Sequence, residues 1–175
     1  MTITLPLRAE HKELIPHIER LRTVADSVGQ APIESLRRDV DEAFEFLRRH
    51  LIPHAEAEEE ALYPVVGRIL GAPEATATMS RDHAEVGRLT GELASLRSEL
   101  SQATLGEAQA EALRRVLYGL YAVVKLHFAK EEDVYLPLLD ARLSPEAARG
   151  MFEAMERAAK RAKSRQGHET GRTRA

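Results

Sequence analysis

Apolar residues recur every three or four positions along four long stretches of the chain, as they do on the buried face of an α-helix. Breaks that contain glycine, at 29–32, 71–73 and 105–106, separate these stretches. The pattern predicts helices over about 6–28, 33–70, 74–103 and 107–142. Ser144 and Pro145 then read as the N-cap and first residue of a fifth helix that extends to about residue 165.

Each predicted apolar stripe is interrupted by histidine, and two of the stripes also contain glutamate. The expected fold is therefore an all-α four-helix bundle with a fifth C-terminal helix. The predicted inward positions are Leu7, His11, Leu14, Ile18 and Leu21 in the first helix, Leu36, Val40, Ala43, Leu47, His50, His54, Glu58, Ala61 and Val65 in the second, Met79, His83, Val86, Leu89, Leu93, Leu96 and Leu100 in the third, and Leu113, Val116, Leu120, Val123, His127, Glu131, Val134 and Leu138 in the fourth.

Four prolines, Pro16, Pro53, Pro64 and Pro137, fall inside these predicted helices. Proline removes a backbone donor and favours a kink. The apolar period keeps its phase on both sides of each proline, so we expect bent helices rather than broken ones.

The chain contains an internal repeat. The segment HAEAEEEALYP beginning at His54 and the segment HFAKEEDVYLP beginning at His127 share histidine, two glutamates and proline at the same spacing. Upstream, His83 lies 72 residues after His11, and His127 lies 73 residues after His54. This correspondence predicts a duplicated helical hairpin, with its two copies related by a pseudo-twofold axis.

The repeated residues have the chemistry of a binuclear metal site. Residues at i and i+4 project from one face of a helix, so each histidine and glutamate of a repeat can reach the same region. Ionised glutamate is almost never fully buried without a partner, and two divalent cations would supply one. If both glutamates bridge, each metal receives two nitrogens and two oxygens. The predicted ligands are His11, His54, Glu58, His83, His127 and Glu131; the alternative is a metal-free helical scaffold with protonated histidines.

The composition of the chain excludes some kinds of site and argues against some kinds of partner. The chain has no cysteine, which excludes disulfides and thiolate ligands, and its net charge of −3 gives no general attraction to nucleic acid. It shows neither a secretory leader nor an apolar run long enough for a membrane span, so a cytoplasmic protein is expected. Residues 1–142 should form the bundle, and residues 143–175 the fifth helix and a basic, frayed tail.

At the six ligand positions the sequence resembles the hemerythrin-like, or HHE cation-binding, family, over roughly residues 6–142. The resemblance is to bacterial members with an H…HxxxE…H…HxxxE order. It implies an up-down-up-down four-helix bundle and a non-haem di-iron centre with an oxo or hydroxo bridge. Gly87 stands where oxygen-carrying hemerythrins have a further histidine, and the last motif, HFAKE, is shorter than theirs. The resemblance therefore implies reaction with O₂, peroxide or NO rather than simple oxygen carriage.

Two functions remain as hypotheses. The first is catalase-like or peroxidase-like detoxification at the di-iron centre; the second is a non-catalytic sensor, carrier or iron store. Iron itself is implied by the resemblance, and Mn or Zn also suits a site of nitrogen and oxygen ligands. The apolar residues Met151, Phe152 and Met155 of the fifth helix either cap the bundle or pair two subunits as a homodimer.

Several other residues are assigned by position. His50 lies one turn before His54, and we expect it to support the ligands or the fold, the alternative being that it is an extra ligand. Glu59 and Glu132 follow the ligand glutamates and should be solvated or hydrogen bonded. His17 and His168 are expected to be exposed. The four tyrosines are expected to be core or interface residues, and a tyrosine that reached the metals could bind iron. They are Tyr63, Tyr118, Tyr121 and Tyr135.

Overall fold

The computed structural model describes residues 2–100 and 105–172, with side chains as far as residue 165. Helix α1 is Leu5–Ser27, α2 spans residues 33–70, α3 is Ala77–Glu99, α4 spans residues 107–142 and α5 is Pro145–Arg172. A short 3₁₀ turn, Pro73–Thr76, precedes α3. No strand occurs in the described residues, so the all-α prediction is confirmed.

The helix ends follow local signals. Gly71 ends α2 in the left-handed conformation at φ 65°, which favours glycine, and the amide of Ala72 donates to the Gly67 carbonyl at 3.0 Å. The Ser144 hydroxyl oxygen accepts from the amide of Ala147 at 3.2 Å and caps α5. Helix α5 is longer than predicted, and the predicted end of α3 and the exposure of His168 lie outside the described residues.

The first four helices form a bundle in which each helix packs against the two that adjoin it, α1 against α2 and α4, and α3 against α2 and α4. Helix α5 packs along the middle of α2, over its segments Ile52–Ala57 and Glu58–Leu62. Among the described residues, no helix combines the length and the apolarity that crossing a membrane requires.

Three of the four prolines follow a π-helical turn, whereas Pro16 lies inside the continuous α-helix α1. The π turns are Leu47–Leu51 and Glu58–Leu62 in α2 and Glu131–Tyr135 in α4. Each ends two residues before a proline, namely Pro53, Pro64 or Pro137, whose missing amide cannot continue the α-helical ladder. The ligand glutamates of the two repeats are therefore the first residues of equivalent π turns.

The π turns correct the predicted inward stripe, because an extra residue in a helical turn rotates the residues after it. Val134 was expected inward but is 57% exposed, while Leu136 is fully buried. His50 was also expected inward but is exposed, and Leu51 is buried in its place. The prediction that the apolar phase is unchanged across the prolines was wrong at these positions.

The core consists of two apolar clusters separated by a polar layer. On each of the four bundle helices, residues of one cluster precede the predicted ligands and residues of the other follow them. A cross-section through the bundle at this level is therefore a layer of histidine and glutamate between two layers of aliphatic side chains. The flanking pairs are Leu7 and Leu14 on α1, Leu51 and Ala61 on α2, Met79 and Val86 on α3, and Val124 and Leu136 on α4.

Candidate metal centre

The four bundle helices each contribute a histidine to the polar layer, and α2 and α4 each add a glutamate one turn further along. Glu58 and Glu131 have no solvent exposure, which is unusual for carboxylates. His11, His54 and His127 are buried as well, and His83 is the most exposed of the set, with 12% of its side chain accessible. All six residues predicted from sequence are thus brought into one buried layer.

One half of the cluster contains His11, His54, Glu58 and Glu131, whose ligand atoms all lie within 4.8 Å of one another. His54 Nε2 lies 3.0 Å from Glu58 Oε1, and His11 Nε2 lies 3.4 Å from Glu131 Oε2. This half joins α1, α2 and α4. Two imidazole nitrogens and one oxygen from each glutamate face a single space.

The other half contains Glu58, His83 and His127. Glu58 Oε2 lies 3.3 Å from His83 Nε2, and Glu131 Oε1 lies 3.5 Å from His127 Nε2. The two imidazole nitrogens of this half are 3.0 Å apart. Glu58 uses one oxygen toward each half, which is the arrangement of a bridging carboxylate.

Five buried side-chain atoms in the described part of the chain have no hydrogen-bond partner. Buried polar atoms are normally satisfied, and leaving one unpaired costs about 1–3 kcal/mol. All five belong to this cluster, so an electrophile that accepts their lone pairs would remove the whole penalty. The atoms are His11 Nε2, His54 Nε2, Glu58 Oε1, Glu58 Oε2 and Glu131 Oε2.

Without metal, the cluster balances its charge with protons. Burial by itself would lower the pKa of His54 and His127, but the neighbouring carboxylates outweigh it, raising the pKa of His54 well above its ordinary value and that of His127 to about 10. Burial would raise the pKa of Glu58, but His54 and the other imidazoles hold it well below its usual range. A metal ion bound at this cluster would therefore displace protons from His54 and His127.

Each of the four histidines also has a carboxylate on its outer nitrogen. Nδ1 lies 2.8 Å from Glu132 in His11, 3.2 Å from Glu10 in His54, 2.8 Å from Glu59 in His83 and 3.1 Å from Asp82 in His127. A carboxylate on Nδ1 holds the ring so that Nε2 faces the interior, as metal-binding histidines require. The expectation of hydrogen-bonding roles for Glu59 and Glu132 is confirmed.

Tyr63 is the one tyrosine whose hydroxyl is described at the cluster. It donates to Glu131 Oε1 at 3.2 Å and lies 3.3 Å from His127 Nε2 and 3.4 Å from His83 Nε2. Burial and the carboxylates of Glu58 and Glu131 raise its pKa, so the phenol keeps its proton. The equivalent residue of the second repeat is Leu136, which makes the two halves of the site unequal.

His50 and His17 lie away from the cluster, on the outside of the bundle. Their rings lie 6.2 Å and 4.8 Å from that of Phe46 in a surface groove that also contains Arg20 and Arg49. The structure therefore places His50 at the surface rather than around the predicted ligands. The exposure expected for His17 is consistent with this groove.

The sequence did not indicate the roles of Glu10 and Asp82, and it did not single out Tyr63 among the four candidate tyrosines. The signal for the first two was present, because each directly precedes a predicted ligand histidine, at equivalent places in the repeat. Their partners, however, are histidines of other helices, and that pairing depends on how the helices pack. Tyr63 had no such signal, since the repeat has leucine in its place.

Comparison with known proteins identifies a family. A family model described as the hemerythrin HHE cation binding domain covers residues 2–139. Searches of curated proteins and of solved structures give no significant match. The matched region contains the whole polar layer and ends before α5.

Proposed function

Because the chain belongs to the hemerythrin HHE cation-binding domain family, we propose that its buried cluster holds two non-haem iron ions that react with a small oxidant. Disproportionation of hydrogen peroxide to water and dioxygen is the favoured reaction. Reaction with O₂ or NO is the related alternative, and a non-catalytic sensor, carrier or iron store would use the same ions without turnover.

The five buried ligand atoms without hydrogen bonds carry this proposal. They face one another across the interior of the bundle, and they are imidazole nitrogens and carboxylate oxygens, the donors that suit iron, manganese and zinc. Their donor set fits two cations, because each half of the cluster contains two imidazoles and Glu58 is common to both halves. Burial of two adjacent carboxylates is otherwise difficult to reconcile with their charge.

A pair of iron ions would supply Lewis acidity and electron transfer to a bound oxidant. The protein contributes the remaining elements of the reaction. The four histidine Nε2 atoms, Glu58 and Glu131 would hold the ions, and the aliphatic layers on both sides exclude water. The Tyr63 hydroxyl, whose oxygen lies 3.2 Å from Glu131 Oε1, holds a proton in the half that contains His83 and His127.

Two cavities are lined by residues of the cluster or by its outer carboxylates. One, of about 460 Å³, is lined by Glu10, His54 and residues of α5; the other, of about 690 Å³, is lined by Glu59 and Tyr63. Each reaches a residue of the site or its outer carboxylate. Residues of the cluster therefore border two spaces large enough to admit molecules the size of peroxide or NO, which supports a small oxidant as the substrate.

The test compares the wild type with His54→Asn and with His50→Asn, which removes an exposed histidine one turn away on the same helix. Each protein is purified aerobically, its metals are quantified, and dioxygen release from peroxide is followed with an oxygen electrode. We expect two irons per chain and peroxide-dependent oxygen release in the wild type and His50→Asn. His54→Asn should lose iron and activity.

The outcomes separate the alternatives. Two irons with a spectrum that responds to NO or O₂, but no oxygen release from peroxide, would favour the sensor or carrier. Two manganese or zinc ions would replace iron in the proposal. A wild-type protein that takes up no metal under any loading condition would reject it.

A further inference from the structure

The internal repeat allows each outer carboxylate to be compared with its counterpart. Glu132, on His11, forms an ion pair with Arg8. Its counterpart Glu59, on His83, instead accepts a hydrogen bond from Ser80 at 2.8 Å. Arg8 and Ser80 occupy the same place in the repeat, 72 residues apart. A charged partner in one copy is thus replaced by a neutral one in the other.

The second pair of outer carboxylates shows the opposite exchange. Asp82, on His127, forms an ion pair with Lys130. Its counterpart Glu10, on His54, has no such partner among the described contacts, because Ala57 stands where the second repeat has Lys130. Ala57 and Glu10 instead line the cavity beneath α5. The first copy of the repeat therefore provides its cation, Arg8, on its first helix, and the second copy provides its cation, Lys130, on its second helix.

The two exchanges combine into a pattern across the site. His11 and His54 belong to one half, and only the carboxylate on His11 is paired with a cation. His83 and His127 belong to the other half, and only the carboxylate on His127 is so paired. Each half thus has two outer carboxylates and one cation, although the residues that provide the cation are not equivalent in the repeat.

We propose that Arg8 and Lys130 are positioning residues, one for each half of the cluster. Each fixes a carboxylate that orients one imidazole of its half. The inference rests on the proposed metal centre and goes beyond it. Arg8 contacts no predicted ligand, and neither does Lys130 in the described contacts; they act through Glu132 and Asp82. Loss of either cation should weaken one metal position and leave the other nearly unchanged.

The surroundings of Arg8 support this role. Its Nε donates to the buried Thr4 hydroxyl at 3.1 Å, and its Nη2 lies 3.5 Å from Asp140. Asp140 in turn accepts from the Thr4 amide at 2.9 Å. The guanidinium is thereby held at two points. The side chain of Glu132 is 31% exposed, so without this fixed partner it could rotate into water and release His11 Nδ1.

The test titrates metal-free protein with Co²⁺ by calorimetry and records the visible spectrum at each addition. Outer partners of ligand histidines typically contribute about 10–100-fold in metal affinity, so Arg8→Ala should bind one ion normally and the other about 10–100-fold more weakly. Arg8→Lys should restore part of the loss. Arg20→Ala is the matched control, an exposed arginine of the same helix that pairs with Asp39 and Glu42.

Lys130→Ala is tested in the same way, with Lys125→Ala as its control. Lys125 lies on the same helix and pairs with Glu19 at 2.9 Å, on the surface. Both Lys130→Ala and Arg8→Ala should weaken a single ion, and the double variant should weaken both. If each single variant bound both ions with the affinities of the wild type, the proposal would be overturned.

A double-mutant cycle separates positioning from general stability. Glu132→Gln keeps an acceptor for His11 but cannot pair with Arg8, so it should also weaken one ion. If Arg8 acts through Glu132, the combination of Arg8→Ala with Glu132→Gln should be no weaker than Glu132→Gln alone. Additive losses would contradict the proposal. A wild type that binds no Co²⁺ would reject the metal centre as well, whereas two ions bound equally by all variants would reject only the positioning role.

Discussion

Glu58 is the residue on which both halves of the cluster depend, since one of its oxygens faces His54 and the other faces His83. Glu58→Gln keeps the size of the side chain and removes its charge. We predict that this variant binds neither metal ion at concentrations that load both positions of the wild type. The measurement is metal content after dialysis against a weak chelator.

Glu56→Gln is the control for this variant. Glu56 is two residues away on α2, and its exposed carboxylate pairs with Arg165 on α5. It should bind metal like the wild type, because a surface ion pair contributes little to stability. If Glu58→Gln instead retained one ion at full affinity, the bridging role of Glu58 would be wrong.

The protonated histidines of the metal-free protein predict a pH dependence. A histidine whose pKa is raised on folding stabilises fully below its unfolded value, here 6.5, and that contribution is lost as the pH rises through the folded value, about 10 for His127. The metal-free protein should therefore lose at least about 1 kcal/mol of unfolding free energy between about pH 6.5 and pH 10. Urea unfolding followed by circular dichroism measures this change.

Glu58 contributes in the opposite direction. Its pKa is lowered on folding, so its stabilisation is present above the ordinary value of 4.5 and is lost as the pH falls below it. In Glu58→Gln the alkaline loss should be smaller, because the carboxylate that raises the histidine pKa is absent. A wild-type profile that is flat from pH 6.5 to 10 would contradict the protonated state inferred for His127.

At the residue scale, spacing at i and i+4 predicted that His54 and Glu58, and likewise His127 and Glu131, reach one region regardless of the neighbouring helices. The apolar stripes and the repeat added His11 and His83. The sequence could not pair Glu10 with His54 or Asp82 with His127, because those contacts cross between helices. Nor could it distinguish Tyr63 from the other tyrosines, since Tyr63 lies five residues after Glu58, a spacing that points inward only in a π turn.

Among the helical elements, the π turn Glu131–Tyr135 shows most clearly where the buried residues differ from those that the apolar pattern predicts. A continuous α-helix would bury Val134, whereas the π turn buries Leu136 and exposes Val134. We predict that Leu136→Ala costs about 2–5 kcal/mol, as cavities in a core do. Val134→Asp should change stability by no more than about 0.5 kcal/mol. Urea unfolding of the metal-free variants measures both.

Each of these two substitutions is the control for the other, since both lie in one turn of α4. A large loss of stability in Val134→Asp together with a small loss in Leu136→Ala would indicate the uninterrupted α-helix.

The helix count and most helix boundaries were predictable from the apolar period and from Gly71 and Ser144. The π turns were not, because the prolines show only that an α-helical hydrogen bond is missing and leave open whether the chain bends or gains a residue.

On the scale of the whole molecule, the polar layer divides the core into two aliphatic clusters. An apolar layer at this level would bury more hydrocarbon, so the metal-free fold gives up stability to keep its histidines and glutamates. Metal binding to the folded state alone recovers stability by mass action. The predicted ligands come from α1, α2, α3 and α4, so the recovery should extend to all four helices.

Hydrogen exchange can detect this cross-linking. Loading with metal at about 100 times its dissociation constant should stabilise the fold by about 2.7 kcal/mol for each ion. Amide protection should increase together around His11, His54, His83 and His127, because an opening that separates any one of these helices now has to break a metal bond. Glu58→Gln under the same loading should show no increase. Protection confined to α2 and α4 would mean that the metal is held by the two His-x-x-x-Glu motifs alone, and that His11 and His83 serve only the packing of the layer.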